Sequence, residues 1–167
     1  MRTFFIASFV ANLALALVSL NILPDPVATH FGANGAPDGW MSKGGHALFT
    51  LGMNVLLFCS IYWAARLVFV FPAKWVSLPN RDFWLSEEQR PQTERKMSAF
   101  MWEFGSAIFL FLLGVGILSI QANLAKPMRL NERLLLYGLG VFLVYTVWWT
   151  IRFYRAFRMP KQVDSSA

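Results

Sequence analysis

An all-α membrane protein with four transmembrane helices is the fold class this sequence predicts, on three observations. Hydrophobic residues make up 56% of the chain and charged residues only 14%, where a soluble domain carries about 25% charged residues. Four segments are each apolar over the roughly 20 residues that a bilayer crossing needs. The sixteen Phe and seven Trp suit a chain that meets the membrane interface, where aromatic rings collect. With 167 residues, one small helical bundle accounts for the whole length as a single domain. The lone cysteine, Cys59, leaves no intramolecular disulfide to form.

The spans are expected at about 4–23, 47–71, 100–124 and 134–153. Backbone polar groups in hydrocarbon must be satisfied within their own segment, so each reads as a helix. The first follows Arg2 but is longer than the roughly 7–15-residue core of a secretory signal. No small-residue cleavage pattern follows it, so it is expected to be retained. Ala7, Ala11 and Ala14 form a small-residue stripe suited to close helix contact. The short connection over 125–133 makes the third and fourth helices an antiparallel pair. Residues 162–167 read as a frayed tail.

Orientation follows from the basic residues. If the first helix starts inside, only Lys43, Lys126, Arg129 and Arg133 fall outside, and the rest of the fifteen Lys and Arg fall inside. That bias puts both termini in the cytoplasm, the 24–46 loop outside and the 72–99 loop inside. It also accounts for the net charge of +6 without a nucleic-acid surface, since the cations are scattered among spans. The expected location is a bacterial cytoplasmic membrane, multi-pass, with the lipid bilayer as one partner.

The 24–46 loop differs from its surroundings. Pro24 and Pro26 end the first helix. Asn34-Gly35 and Asp38-Gly39 are both turn dipeptides, and residues 27–31 read as a short extended piece folding back at Asn34-Gly35. Two tight turns in so short a stretch predict an ordered cap over the bundle. Leu23-Pro24, His30-Phe31, Gly35, Pro37-Asp38-Gly39, Trp40 and Ser42-Lys43 together resemble the signature of the family called "domain of unknown function 1648", which includes the SdpI-type bacterial membrane proteins. A second stretch, Leu78-Pro79-Asn80-Arg81-Asp82-Phe83-Trp84-Leu85, is similar to a cytoplasmic segment of some relatives. The resemblance implies a sensor or immunity role.

His30, Asn34, Asp38, Trp40 and Lys43 are the candidate ligand-binding residues, offering an imidazole, an amide, an anion, a large amphipathic ring and a cation. The bland readings are a structural hydrogen bond for His30, a turn carboxylate for Asp38 and an interfacial snorkel for Lys43. Asp25, His30, Asp38 and His46 are the possible metal ligands. No His pairs with another at i+3 or i+4, so metal spacing is weak and no cofactor is expected.

In the 72–99 loop, Ser86-Glu87-Glu88-Gln89 reads as a capping box opening a short helix. Pro91 would break that helix, with a second start near Pro91 running into the third span. Trp75, Phe83 and Trp84 predict a segment lying on the membrane surface, and Asn80, Arg81, Asp82 and Trp84 are the candidate docking residues for a cytoplasmic partner. Within the spans the notable polar residues are Asn12, Asn54, Arg66, Glu103 and Gln121. Arg66 and Glu103 lie near matched span ends and are expected to pair. Asn12 and Asn54 are expected to hydrogen-bond between helices. Trp148, Trp149, Tyr154 and Phe157 read as an interfacial aromatic belt. No P-loop, dinucleotide fingerprint, nucleophile elbow or zinc-protease motif occurs.

The expected function is therefore non-enzymatic: a membrane sensor or immunity-type protein that binds an extracytoplasmic peptide or envelope factor through the first loop. The alternatives are an accessory or scaffold subunit of a larger membrane complex, with a protein partner or homo-oligomer, and a small transporter or membrane enzyme built on His30, Asp38, Arg66 and Glu103.

Overall fold

The computed structural model describes residues 1–159; the tail read over 162–167 lies outside the described residues. The chain runs α1 (Arg2–Ile22), β1 (Val27–Phe31), β2 (Pro37–Met41), α2 (Lys43–Leu67), a 3-10 turn (Ala73–Trp75), α3 (Arg81–Trp84), α4 (Arg90–Leu124) and α5 (Glu132–Ala156). The four long helices are long and apolar enough to cross a membrane. The class is thus mostly helical, with a two-stranded hairpin added to the expected all-α bundle.

Local chemistry moves two of the expected boundaries. Helix α2 starts at Lys43, ahead of residue 47, because Ser42 Oγ accepts the Gly45 N–H at 3.2 Å and Asp25 Oδ1 accepts the Lys43 N–H at 3.1 Å. Both are donors that a helix start otherwise leaves unpaired. Helix α4 starts at Arg90, ten residues before the expected third span. Pro91 sits in its first turn, where the missing N–H has no partner to lose, so it opens the helix. The Ser86-to-Gln89 box closes a turn, with Gln89 N–H on Ser86 O at 3.1 Å, and the short helix lies earlier, as α3. At 35 residues, α4 is about 52 Å long, against about 30 Å of hydrocarbon in a bilayer. Its surplus turns carry the packing at the end of the bundle where the chain begins.

Helices α1, α2 and α4 form a mutually packed trio, and α5 packs mainly on α4. The buried face of α1 is Phe5, Ser8, Asn12, Ala16 and Ser19. The Ala7, Ala11 and Ala14 stripe is offset from it: Ala7 and Ala14 are exposed and Ala11 is half-buried. The buried face instead combines the small residues Ser8, Ala16 and Ser19 with Asn12, and the polar atoms of Ser8, Asn12 and Ser19 bond to carbonyls of their own helix. Phe5 and Phe9 stack on Phe58 at ring separations of 5.1 and 4.3 Å, and Phe109 closes the cluster. A Cβ on Gly105 would stand 2.5 Å from Phe5 Cε2, so this crossing requires glycine.

At the same end, Leu78, Trp84, Met97 and Phe157 make a second small core. Trp84 is 2% exposed; its indole N–H donates to Phe157 O at 2.8 Å, and Asn80 Nδ2 donates to the same carbonyl at 3.0 Å. Thr93 Oγ1 donates to Trp84 O at 2.7 Å. Trp84 therefore holds the end of α5 in place and does not lie on a surface, and Phe157 is fully buried instead of joining an aromatic belt. Trp148 and Tyr154 are exposed, as a belt requires, whereas Trp149 stacks on Phe104 at 4.6 Å.

Candidate functional site

The hairpin at the opposite end of the bundle is built as the turn chemistry predicts at its tip. Gly35 has a φ of +73°, which glycine adopts without strain. Asn34 Oδ1 accepts the Ala36 N–H at 3.0 Å, and Gly32 N–H bonds Ala36 O at 2.9 Å. Asp38-Gly39 is not a second turn. Both residues lie in β2, with Gly39 opposite His30 at an irregularity in the register. A Cβ on Gly39 would come within 2.8 Å of His30 Cβ, so glycine here permits close approach of the strands. Asp38 is thereby presented to His30, and its Oδ1 hydrogen-bonds His30 Nδ1.

Four contacts fasten this hairpin to the end of α4 and to the α4–α5 connection. Asn123, 2% exposed at the end of α4, accepts the Ala28 N–H at 2.8 Å and donates to Ala28 O at 2.9 Å. Its side-chain amide thus acts as a further ladder partner for a fully buried strand residue. At the tip, Leu130 N–H bonds Gly35 O at 2.9 Å and Arg129 Nε donates to Asn34 O at 3.0 Å. Sequence reasoning missed Asn123, Arg129 and Leu130. The available signal was an asparagine closing an apolar span, where an unpaired amide is costly.

The result is a cap with one face seated and one face open. Val27 and Ala28 are fully buried, while the His30 and Asp38 side chains are 74% and 53% exposed. Trp40, in the same strand as Asp38, is half-exposed. Of the five candidate binding residues, His30, Asp38 and Trp40 share this open hairpin, Asn34 is spent on the turn, and Lys43 opens α2. Among the described residues, no group of three or more His, Cys, Asp or Glu is gathered. Asp25 caps α2, and His46 lines a cavity of about 330 Å³ below the hairpin together with Asn12, Ser19, Thr29, Thr50 and Asn54.

The polar residues within the spans are arranged differently from expectation. Glu103 does not pair with Arg66. It receives both arms of Arg152, at 2.7 and 2.9 Å, and the Tyr145 hydroxyl at 3.2 Å. Arg66 pairs with Glu94 at 2.9 Å. Matched depth is satisfied by both pairings, and helix azimuth selects between them: α5 brings Arg152 over α4 with its guanidinium above Trp148, while the early start of α4 offers Glu94 to Arg66. Asn12 does bridge helices, donating to Phe109 O at 2.8 Å. Asn54 does not: it donates to Thr50 O on its own helix and its Oδ1 is buried without a partner. His30 and Asp38 lie at the end of the bundle away from Arg66 and Glu103, so the four do not converge on one site. Of the docking set, Asn80 and Trp84 are engaged in the second core, and Arg81 and Asp82 pair at an exposed position.

Four helices able to cross a bilayer, capped at one end by a pinned hairpin, suggest a small multi-pass membrane protein. Residues 7–53, which take in most of α1, the whole hairpin and the first part of α2, match the family model described as "Domain of unknown function (DUF1648)". No curated protein and no solved structure matches the chain.

Proposed function

We propose that this chain is a non-enzymatic membrane sensor or immunity-type protein of the bacterial cytoplasmic membrane. It has both termini inside, and its hairpin recognises an extracytoplasmic peptide or envelope factor. One observation carries the reading: the hairpin is pinned through buried backbone at Ala28 while His30, Asp38 and Trp40 stay exposed on it. A rigid platform presenting a polar pair and an aromatic ring suits recognition, because little conformational entropy is lost on binding. The set has no nucleophile beside a base, which disfavours catalysis. The excess of Lys and Arg away from the hairpin end supports placing the hairpin outside.

The test is to compare phenotype and stability in one series. His30→Ala, Asp38→Ala and Trp40→Ala should each abolish the cellular phenotype with a melting temperature close to that of the parent, since none of the three side chains is buried. In a Cys59-free background, a cysteine at Ala33 should react with an impermeant thiol reagent on intact cells. Loss of function that tracks loss of folded protein refutes the binding site, and an unreactive Ala33 cysteine refutes the orientation.

A further inference from the structure

Three arginines from three helices converge at the end of the bundle opposite the hairpin. Arg2 of α1, Arg66 of α2 and Arg95 of α4 line one pocket of about 400 Å³, together with Tyr62, Ser98 and Trp102. The acidic residue in its wall is Glu94, which Arg66 already engages. Among the described residues, neither Arg2 nor Arg95 forms an ion pair. Arg2 donates to the Tyr62 oxygen at 2.9 Å, leaving the Tyr62 O–H without an acceptor among the described residues. The Trp102 indole N–H is buried and likewise has none.

Like charges gathered at a membrane protein's span ends repel. The pocket has surplus donors and surplus positive charge at once. A ligand that answers both is an acceptor-only anion, and the planar guanidinium fork matches phosphate oxygens. The pocket lies where α1 begins and α2 ends, the level at which lipid headgroups would meet these helices in a bilayer. Basic pockets between transmembrane helices are suited to anionic headgroups.

We propose that this pocket binds a phosphate oxyanion, supplied by the headgroup of an anionic phospholipid. Arg2 and Arg95 carry the charge attraction, Arg66 contributes on the far side of its pair with Glu94, and Tyr62 donates a neutral hydrogen bond. The site is independent of the hairpin and of which side of the membrane it faces.

The experiment is native mass spectrometry of the full chain released from nanodiscs of equal dioleoylphosphatidylglycerol and dioleoylphosphatidylcholine. The protein should retain one phosphatidylglycerol in preference to phosphatidylcholine. Arg95→Gln and Arg2→Gln should each lower that preference about fivefold, as for one interfacial cation. Both residues are exposed, so the variants fold. Lys74→Gln, an exposed cation outside the pocket, should leave the preference unchanged. Displacement of the lipid by millimolar inorganic phosphate would support the oxyanion site with a soluble source. Equal retention of the two lipids, or a preference untouched by Arg95→Gln, overturns the proposal.

Discussion

Replacing Asn123 by Ala tests whether the hairpin is a pinned platform. The substitution removes one amide and strands two backbone groups, the N–H and C=O of Ala28, which is fully buried. Each unsatisfied buried group costs about 1–3 kcal/mol, so opening of the hairpin becomes easier by about 2–6 kcal/mol. The lower bound corresponds to about a thirtyfold rise in the open population. Hydrogen–deuterium exchange over residues 24–42 reads this directly, since local opening governs exchange of ladder amides. The amides of α1 and α4 around the Phe5 and Phe109 cluster should keep their protection, because none of their packing touches Asn123. The tip contacts from Arg129 and Leu130 remain in the variant, so the loosening should be strongest in β1. Unchanged exchange across the hairpin would refute the clamp, and with it the argument that a fixed shape underlies recognition.

Three further predictions concern the polar residues within the spans. Glu103→Gln and Arg152→Gln should show a coupling of about 1–3 kcal/mol in a double-mutant cycle, while Glu103→Gln with Arg66→Gln should be additive within about 0.5 kcal/mol. Denaturation in mixed micelles measures both, and coupling to Arg66 instead would overturn the observed pairing. Asn12→Leu should cost about 1 kcal/mol because it loses the interhelical bond to Phe109 O. Asn54→Leu should leave the melting temperature unchanged or raise it, because it removes an unpartnered buried oxygen; a destabilised Asn54→Leu protein would mean that a partner for that oxygen is bound.

The sequence by itself determined the class, the four apolar helices and the hairpin tip. Long runs without charge have one backbone solution in hydrocarbon, and Asn34-Gly35 has chemistry that a tight turn demands. The motif read over residues 23–43 lies within the 7–53 segment that matches the family model. These properties are local: each depends on composition or on neighbours a few positions apart. Only the tertiary structure decided which partners the polar residues take. Arg66 and Glu103 sit at matched depth, but depth along a helix does not specify the direction a side chain faces. Glu94 and Arg152 claimed them because of how α4 and α5 are rotated and where α4 begins. Trp84 and Phe157 looked interfacial by type, and became core because α3 folds back onto the end of α5. Asp38-Gly39 looked like a turn, and became strand because Gly39 alone lets β2 approach His30. Asn123 lies 95 positions from Ala28, beyond any periodicity or motif, and the contact exists only because the bundle brings the end of α4 beneath β1.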